Sequence, residues 1–235
     1  MNFSVDNSKN RNINLSEEKS KKEQIYEFLK QEIISNHLKP GTVLVERQIC
    51  ATKNISRTPV REAIQQLVAE GLVTNLNNKG SIVSNITYEN IACVYDVREY
   101  MEGLAARLCA QRISDSGTKE LRGYFLKMEG FLKEKNKAGL SDTDGNFHGC
   151  IIKNSRNDVL ISIWSNLQNQ VQRITRLLEK DTDAYENAHI LHRELLEAIE
   201  RRDPNSAEYF MREHIRNSKV YQLKLFAPNI MDSTL

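Results

Sequence analysis

Long apolar runs are missing from this chain. No stretch approaches the ~18 consecutive apolar residues that a membrane helix needs, so no membrane role is expected. The opening twenty residues are polar and asparagine-rich, without the apolar centre of a secretory signal, and a cytoplasmic protein is the expectation. Cysteine is scarce, with 4 residues at positions 50, 93, 109 and 150. None forms a Cys-x-x-Cys pair, and the gaps suit neither a zinc ribbon nor a dense disulfide framework. They read as reduced, mostly buried thiols. There is no Gly-rich phosphate loop, no Gly-x-Ser-x-Gly elbow and no His-Glu-x-x-His pair, which removes several familiar enzyme signatures. A strong charge of one sign is absent too: 33 Lys and Arg stand against 31 Asp and Glu. The small excess lies in front, because residues 1–87 carry 12 basic against 9 acidic groups and residues 88–235 carry 21 against 22. That tilt is weak support for nucleic-acid binding by the front half.

What the chain does have is periodicity. Its 235 residues allow one or two domains. Residues 1–20 show no helical pattern and read as a disordered tail. From Lys21 the spacing of Ile25, Phe28, Leu29 and Ile33 predicts a helix, stopped by Pro40-Gly41. A short helix follows over about 46–52. After a turn at Asn54 to Ser56, a third helix begins with Ser56 as candidate N-cap and Pro59 in its first turn. Ala63, Ile64, Leu67 and Val68 are its apolar face, and Gly71 ends it. Two β-type runs, 72–76 and 81–84, flank Asn77-Asn78-Lys79-Gly80 as a hairpin. Three helices and a hairpin make the winged helix-turn-helix order. Beyond Thr87 the pattern is helical throughout, over roughly 88–114, 116–138, 141–153, 156–180, 183–202 and 204–226. The apolar stripes Val94, Val97, Met101, Leu104, Leu108 and Leu121, Phe125, Met128, Leu132 predict the core of an antiparallel bundle. The fold class is therefore mainly α. Its expected parts are a tail over 1–20, a winged helix-turn-helix domain over 21–87, an all-helical domain over 88–228, and a short tail over 229–235.

The segment Leu38-Lys39-Pro40-Gly41, Val45-Glu46-Arg47, Ile55-Ser56-Arg57-Thr58-Pro59-Val60-Arg61-Glu62-Ala63, Glu70-Gly71-Leu72-Val73 and Lys79-Gly80 resembles the winged-helix domain of GntR-type transcription regulators. Elementary physics points the same way. A recognition helix enters the major groove by its N-terminal end, where the helix dipole and free N–H groups favour phosphate. Arg57 and Arg61 are four apart and share a helix face, and arginine reads guanine bidentately. The resemblance implies that Arg57 and Arg61 read bases or adjacent phosphates and that Arg47 contacts DNA from the preceding helix. Ser56 and Thr58 offer hydroxyls to phosphate. Lys79 and Gly80 form the wing tip beside the minor groove.

In the second half, Val94-Tyr95-Asp96-Val97-Arg98-Glu99-Tyr100-Met101-Glu102, Asp144-Gly145-Asn146-Phe147-His148, His192-Arg193-Glu194-Leu195-Leu196 and Met211 to His214-Ile215 resemble the FCD-type effector domain of the FadR branch of that family. Asp144 and His148 are four apart and face one way, and a bundle can gather His192 and His214 to the same interior point. The resemblance makes these four a metal site. One carboxylate and three imidazoles suit Zn, Ni, Fe or Mn, with positions left for water or a ligand oxygen. His189 competes with His192 for the third place, and His192 is chosen because Leu-Leu-Glu-Ala-Ile follows Arg193-Glu194. Arg98 is a candidate clamp for a carboxylate effector. The competing reading of Arg98 is an ion pair with Glu102, one turn on.

The expected function is thus a ligand-responsive transcription regulator, most often a repressor in this family and not an enzyme. Its partners are a pseudo-palindromic double-stranded operator, a small carboxylate or sugar acid, and a second copy of itself in a homodimer. Three alternatives stay open at this point. One is a metal sensor in which the ion is the signal, one is a structural metal with a fatty-acyl effector, and one is a metal-dependent hydrolase using the same four residues.

Overall fold

The structure, a computed structural model, describes residues 19–76, 80–178 and 182–227. The expected tails lie outside these residues, except for Lys19 and Ser20. Among the described residues are nine helices and one small sheet. The N-terminal part runs α1 (Lys21–Ile34), β1 (Val43–Leu44), α2 (Glu46–Lys53), α3 (Arg57–Ala69), β2 (Val73–Leu76) and β3 (Gly80–Val83). The C-terminal part is all helical: α4 (Tyr88–Arg112), α5 (Asp115–Glu134), α6 (Lys137–Asn154), α7 (Asp158–Leu177), α8 (Thr182–Glu200) and α9 (Pro204–Phe226).

Local chemistry sets most of these boundaries. Ser20 and Glu23 form a reciprocal capping box at the start of α1. Thr87, Ser114, Asn136, Asn157 and Asp203 cap α4, α5, α6, α7 and α9 with side-chain oxygens. The expected break near 138–141 falls earlier. Lys135 ends α5 in the left-handed region at φ 54°, and Asn136 then accepts the Gly139 N–H to start α6. Ser56 occupies the N-cap position of α3, but its hydroxyl makes no cap hydrogen bond. Gly41 and Gly71 take φ of +80° and +72°, the turns that end α1's connection and α3.

The expected hairpin is present as β2 and β3, and the structure adds a strand to it. The sheet has three antiparallel strands in the order β1-β3-β2. Val43 pairs with Ile82 and Val73 with Val83. The extra strand is two residues long, too short to show any alternation in sequence.

Two apolar cores result. Ile25, Leu29, Ile33, Leu44, Val60, Ala63, Ile64, Leu67, Leu72 and Val83 pack within residues 25–83. The second core draws on every bundle helix, including Ile91, Tyr95, Leu121, Phe147, Ile151, Leu195 and Met211. Truncating a wholly buried Leu such as Leu67 or Leu195 costs about 2–5 kcal/mol. The α4 stripe is corrected in part. Val97 and Leu104 are 50% and 41% exposed, while Arg98, Glu102, Ala105, Ala106 and Cys109 face inward. Val94 and Met101 of the expected stripe are buried beside Ile91 and Tyr95, so the apolar count found part of the inner face and missed its small and charged residues. Of the cysteines, Cys109 and Cys150 are buried, Cys50 is half-buried and Cys93 is exposed, and all four are free thiols.

The two parts touch through α7. Asn169 donates to the Glu70 carboxylate at 3.2 Å and Gln170 to the Glu70 carbonyl at 3.2 Å. The same carboxylate accepts the Tyr26 hydroxyl at 2.7 Å, and Arg173 donates to the Ser84 carbonyl. No helix among the described residues is long and apolar enough to cross a membrane.

Candidate functional site

Helix α6 presents Asp144 and His148 one turn apart, α8 presents His192, and α9 presents His214. One donor atom from each lies within 4.8 Å of all the others. His148 Nε2 is 3.2 Å from His214 Nε2. Asp144 Oδ1 is 3.3 Å from His192 Nε2 and 4.0 Å from His148 Nε2. The three histidines are 1–2% exposed and the Asp144 side chain 20%. Imidazole nitrogen and carboxylate oxygen bind a first-row divalent ion at about 2.0–2.2 Å, which separates adjacent ligand atoms by roughly 3.0–3.4 Å. The His148–His214 and Asp144–His192 pairs have those separations, while Asp144–His148 is wider at 4.0 Å. The nitrogen-rich donor set suits a transition metal rather than Mg or Ca.

The sequence reading assigned no role in this site to Glu102. Its Oε2 lies 2.5 Å from His148 Nδ1, and its Oε1 accepts from Arg98 Nε at 2.6 Å. All three side chains are buried. A carboxylate behind the far nitrogen of a histidine fixes the tautomer: Nδ1–H donates to Glu102 and the Nε2 lone pair faces the cluster. Burial alone would raise the Glu102 pKa. The Arg98 guanidinium and then His148 outweigh it and hold the carboxyl below its ordinary value. The only sequence signal was the Arg98–Glu102 spacing; the partner 46 residues away leaves none.

Arg98 is therefore in the buried ion pair, 4% exposed, with its guanidinium carbon 4.8 Å from the Tyr95 ring centroid. His189, the competitor, is turned elsewhere. It stacks on Phe125 with ring centroids 4.3 Å apart and sits 3.7 Å from Glu129. Burial holds its pKa below the usual value despite Glu129.

The candidate DNA-reading residues lie on the opposite end of the chain. Arg57, Thr58 and Arg61 are exposed on the first turns of α3, with Ser56 exposed just before them. The other side of α3 buries Val60, Ala63, Ile64 and Leu67, which fixes the arginine face outward. Arg47 is exposed on α2. Arg61 Nε donates to Glu46 at 2.8 Å, a link from α3 back to α2. Gly80 opens β3 at φ +87°, with open space where a Cβ would stand. Lys79 lies outside the described residues.

A family model described as "FCD domain" matches residues 93–217, and one described as "Bacterial regulatory proteins, gntR family" matches residues 21–83. The chain belongs to the gntR family of bacterial regulatory proteins. It is a DNA-binding transcription regulator with an FCD domain. Among its relatives is the probable D-xylose utilization operon transcriptional repressor of Paenarthrobacter nicotinovorans, 28% identical over 82% of this chain and 84% of the relative. The gluconate operon transcriptional repressor of Bacillus licheniformis is 29% identical over 74% of each chain. A solved GntR regulator from Rhodococcus sp. RHA1 shares the fold at a TM-score of 0.73, covering 87% of this chain and 98% of its own, at 19% identity. The matched families and relatives are regulators, not enzymes, so the hydrolase alternative falls.

Proposed function

We propose that this regulator is a repressor whose FCD domain holds one divalent metal ion and a small carboxylate or sugar-acid effector that alters operator binding. Asp144, His148, His192 and His214 would hold the ion, and Zn, Ni, Fe and Mn all suit that set. The observation that carries this reading is the buried cluster, with four donor atoms within 4.8 Å and Glu102 seated behind His148. A bound ion supplies a Lewis-acid docking point for an effector oxygen. Arg98 is the proposed second contact. Its Nε belongs to Glu102, so the terminal amines of the fork are the part that would reach the acid. Relatives described as repressors of xylose and gluconate operons support a sugar-derived ligand.

Residues 21–87 would act as the DNA-reading unit, with Arg57 and Arg61 on bases or adjacent phosphates. Arg47 would contact the backbone or a base, Ser56 and Thr58 the phosphates, and Lys79 and Gly80 would approach the minor groove. Residues 88–228 would form the effector and dimerisation unit. A second copy doubles the half-site. The exposed stripe Val97, Tyr100 and Leu104 on α4 offers one apolar surface for it. Helix α7 packs on α6, which carries two of the cluster residues, and bonds to Glu70 and Ser84 of the DNA-reading part. An acid that binds two arrangements of these parts unequally would shift operator affinity.

A thermal-shift screen of small carboxylic and sugar acids tests this, run on metal-loaded and chelator-treated protein in parallel. One acid that raises the melting temperature only with metal is the expected result; saturation at 100 times Kd is worth about 2.7 kcal/mol. A large shift with metal and none with any acid would favour the metal-sensor reading instead.

A further inference from the structure

A cleft of about 640 Å³ opens between the sheet of the DNA-reading part and helix α7 of the bundle. It is separate from the histidine cluster and shares no residue with it. One wall is apolar, with Leu76, Ile82 and Ile86 on the face of the sheet turned away from the N-terminal core. The other holds Asn90, from the first turn of α4, and Arg173 from α7. The volume lies within the ~300–1,000 Å³ of small-molecule sites, and an apolar wall with a few polar groups is their usual make-up.

Arg173 is the unexplained group. It is 5% exposed, and no carboxylate pairs with it among the described residues. Its Nη2 donates to the Ser84 carbonyl, but its Nε is buried without a hydrogen-bond partner. A buried guanidinium normally has a carboxylate or phosphate against it, because desolvating an unpaired charge is costly. Burial, with no acid to offset it, draws the Arg173 pKa down to about 10. Helix α4 begins at this cleft, and a helix N-terminus adds to its preference for negative charge.

We propose that this cleft is a second ligand site of the regulator, taking a small organic carboxylate with an apolar body, its carboxylate on the Arg173 guanidinium and its body against Leu76, Ile82 and Ile86. The site does not depend on the metal centre. Its occupant bridges α7 to the sheet, so it ties the arrangement of the two parts to ligand binding.

The test uses the full chain, with and without chelator treatment, and reads melting temperature and affinity against acetate, hexanoate, benzoate, the neutral benzamide and inorganic phosphate. Hexanoate and benzoate are expected to stabilise both forms equally, and benzamide neither. Arg173→Gln is expected to weaken benzoate by roughly tenfold or more, the loss of a charge-assisted hydrogen bond. Ile82→Trp, which fills the cleft and keeps Arg173, is expected to abolish binding and guards against a folding defect in the first variant. Four results overturn the proposal: no shift with any carboxylate, binding that survives both substitutions, a shift confined to the metal-loaded form, or binding of phosphate alone. The third would assign the ligand to the metal centre; failure of the metal centre itself leaves the cleft result unchanged.

Discussion

His148 and Glu102 meet in the bundle interior at 2.5 Å, both essentially inaccessible to water, with Arg98 closing the chain on the other carboxylate oxygen at 2.6 Å. This contact ties a candidate metal ligand on α6 to a charge pair on α4. Orienting carboxylates of this kind typically control metal affinity by about 10–100-fold. Glu102→Gln is therefore expected to weaken metal binding by about that factor, read by competition with a chromophoric chelator. It also leaves the buried Arg98 charge without its partner, so a loss of about 3–5 kcal/mol in unfolding free energy is expected. Unchanged metal affinity in a folded variant would remove Glu102 from the site.

The two histidines of α8 give a sharper contrast. His192 belongs to the four-residue cluster, whereas His189 stacks on Phe125. His192→Ala is expected to lose bound metal, and His189→Ala to keep it while losing some packing. Metal content of the purified variants decides this, and the reverse pattern would mean that the wrong imidazole was assigned.

Arg61 is held by Glu46 in the free protein, through a pair whose side chains are 62% and 36% exposed. An exposed pair of this kind is worth about 0–1 kcal/mol. A bidentate contact to guanine is worth roughly 1–3 kcal/mol of discrimination. The base should win, so Arg61 is expected to leave Glu46 on binding an operator. Arg57→Ala and Arg61→Ala should each weaken operator binding by about 5–150-fold without changing thermal stability. Glu46→Gln should change it little. Fluorescence anisotropy with a labelled operator reads all three.

Glu99 clips α4 to α9 through Arg212 at 2.8 Å and Arg216 at 2.7 Å. Partial burial would raise its pKa, but Arg216 and Arg212 outweigh that and hold it below the ordinary value. A lowered native pKa contributes stability above the unfolded value of about 4.3 and loses it as the pH falls through the native one. Glu99→Gln is expected to destabilise the protein at neutral pH and to lose less further stability on acidification than the parent. Urea unfolding midpoints between pH 7 and pH 3 check both slopes.

Much of the fold was legible because its signals are local. The apolar spacing of α1 and α5, and Pro59 and Gly71 at the two ends of α3, place helices to within a few residues. β1 was not legible, since two residues carry no period. The buried face of α4 was read only in part: Val94 and Met101 lie inside as expected, but Arg98 and Glu102 are charged, and only their mutual pairing lets them go inside. At the candidate site, the four-residue spacing of Asp144 and His148 is a local signal that survives in sequence. The approach of His192 and His214 is long-range, and only resemblance to a family supplied it. Glu102 behind His148 and Arg173 beneath the sheet are contacts between distant helices and strands, which no spacing in the chain records.

Operator affinity measured by anisotropy, with a sugar acid such as gluconate titrated into metal-loaded and chelator-treated regulator, tests the central claim most directly. The account predicts that an acid changes operator affinity in the metal-loaded protein and leaves the stripped protein unmoved, with His148→Ala behaving like the stripped form. An equal response with and without metal, or an acid response retained by His148→Ala, would contradict it.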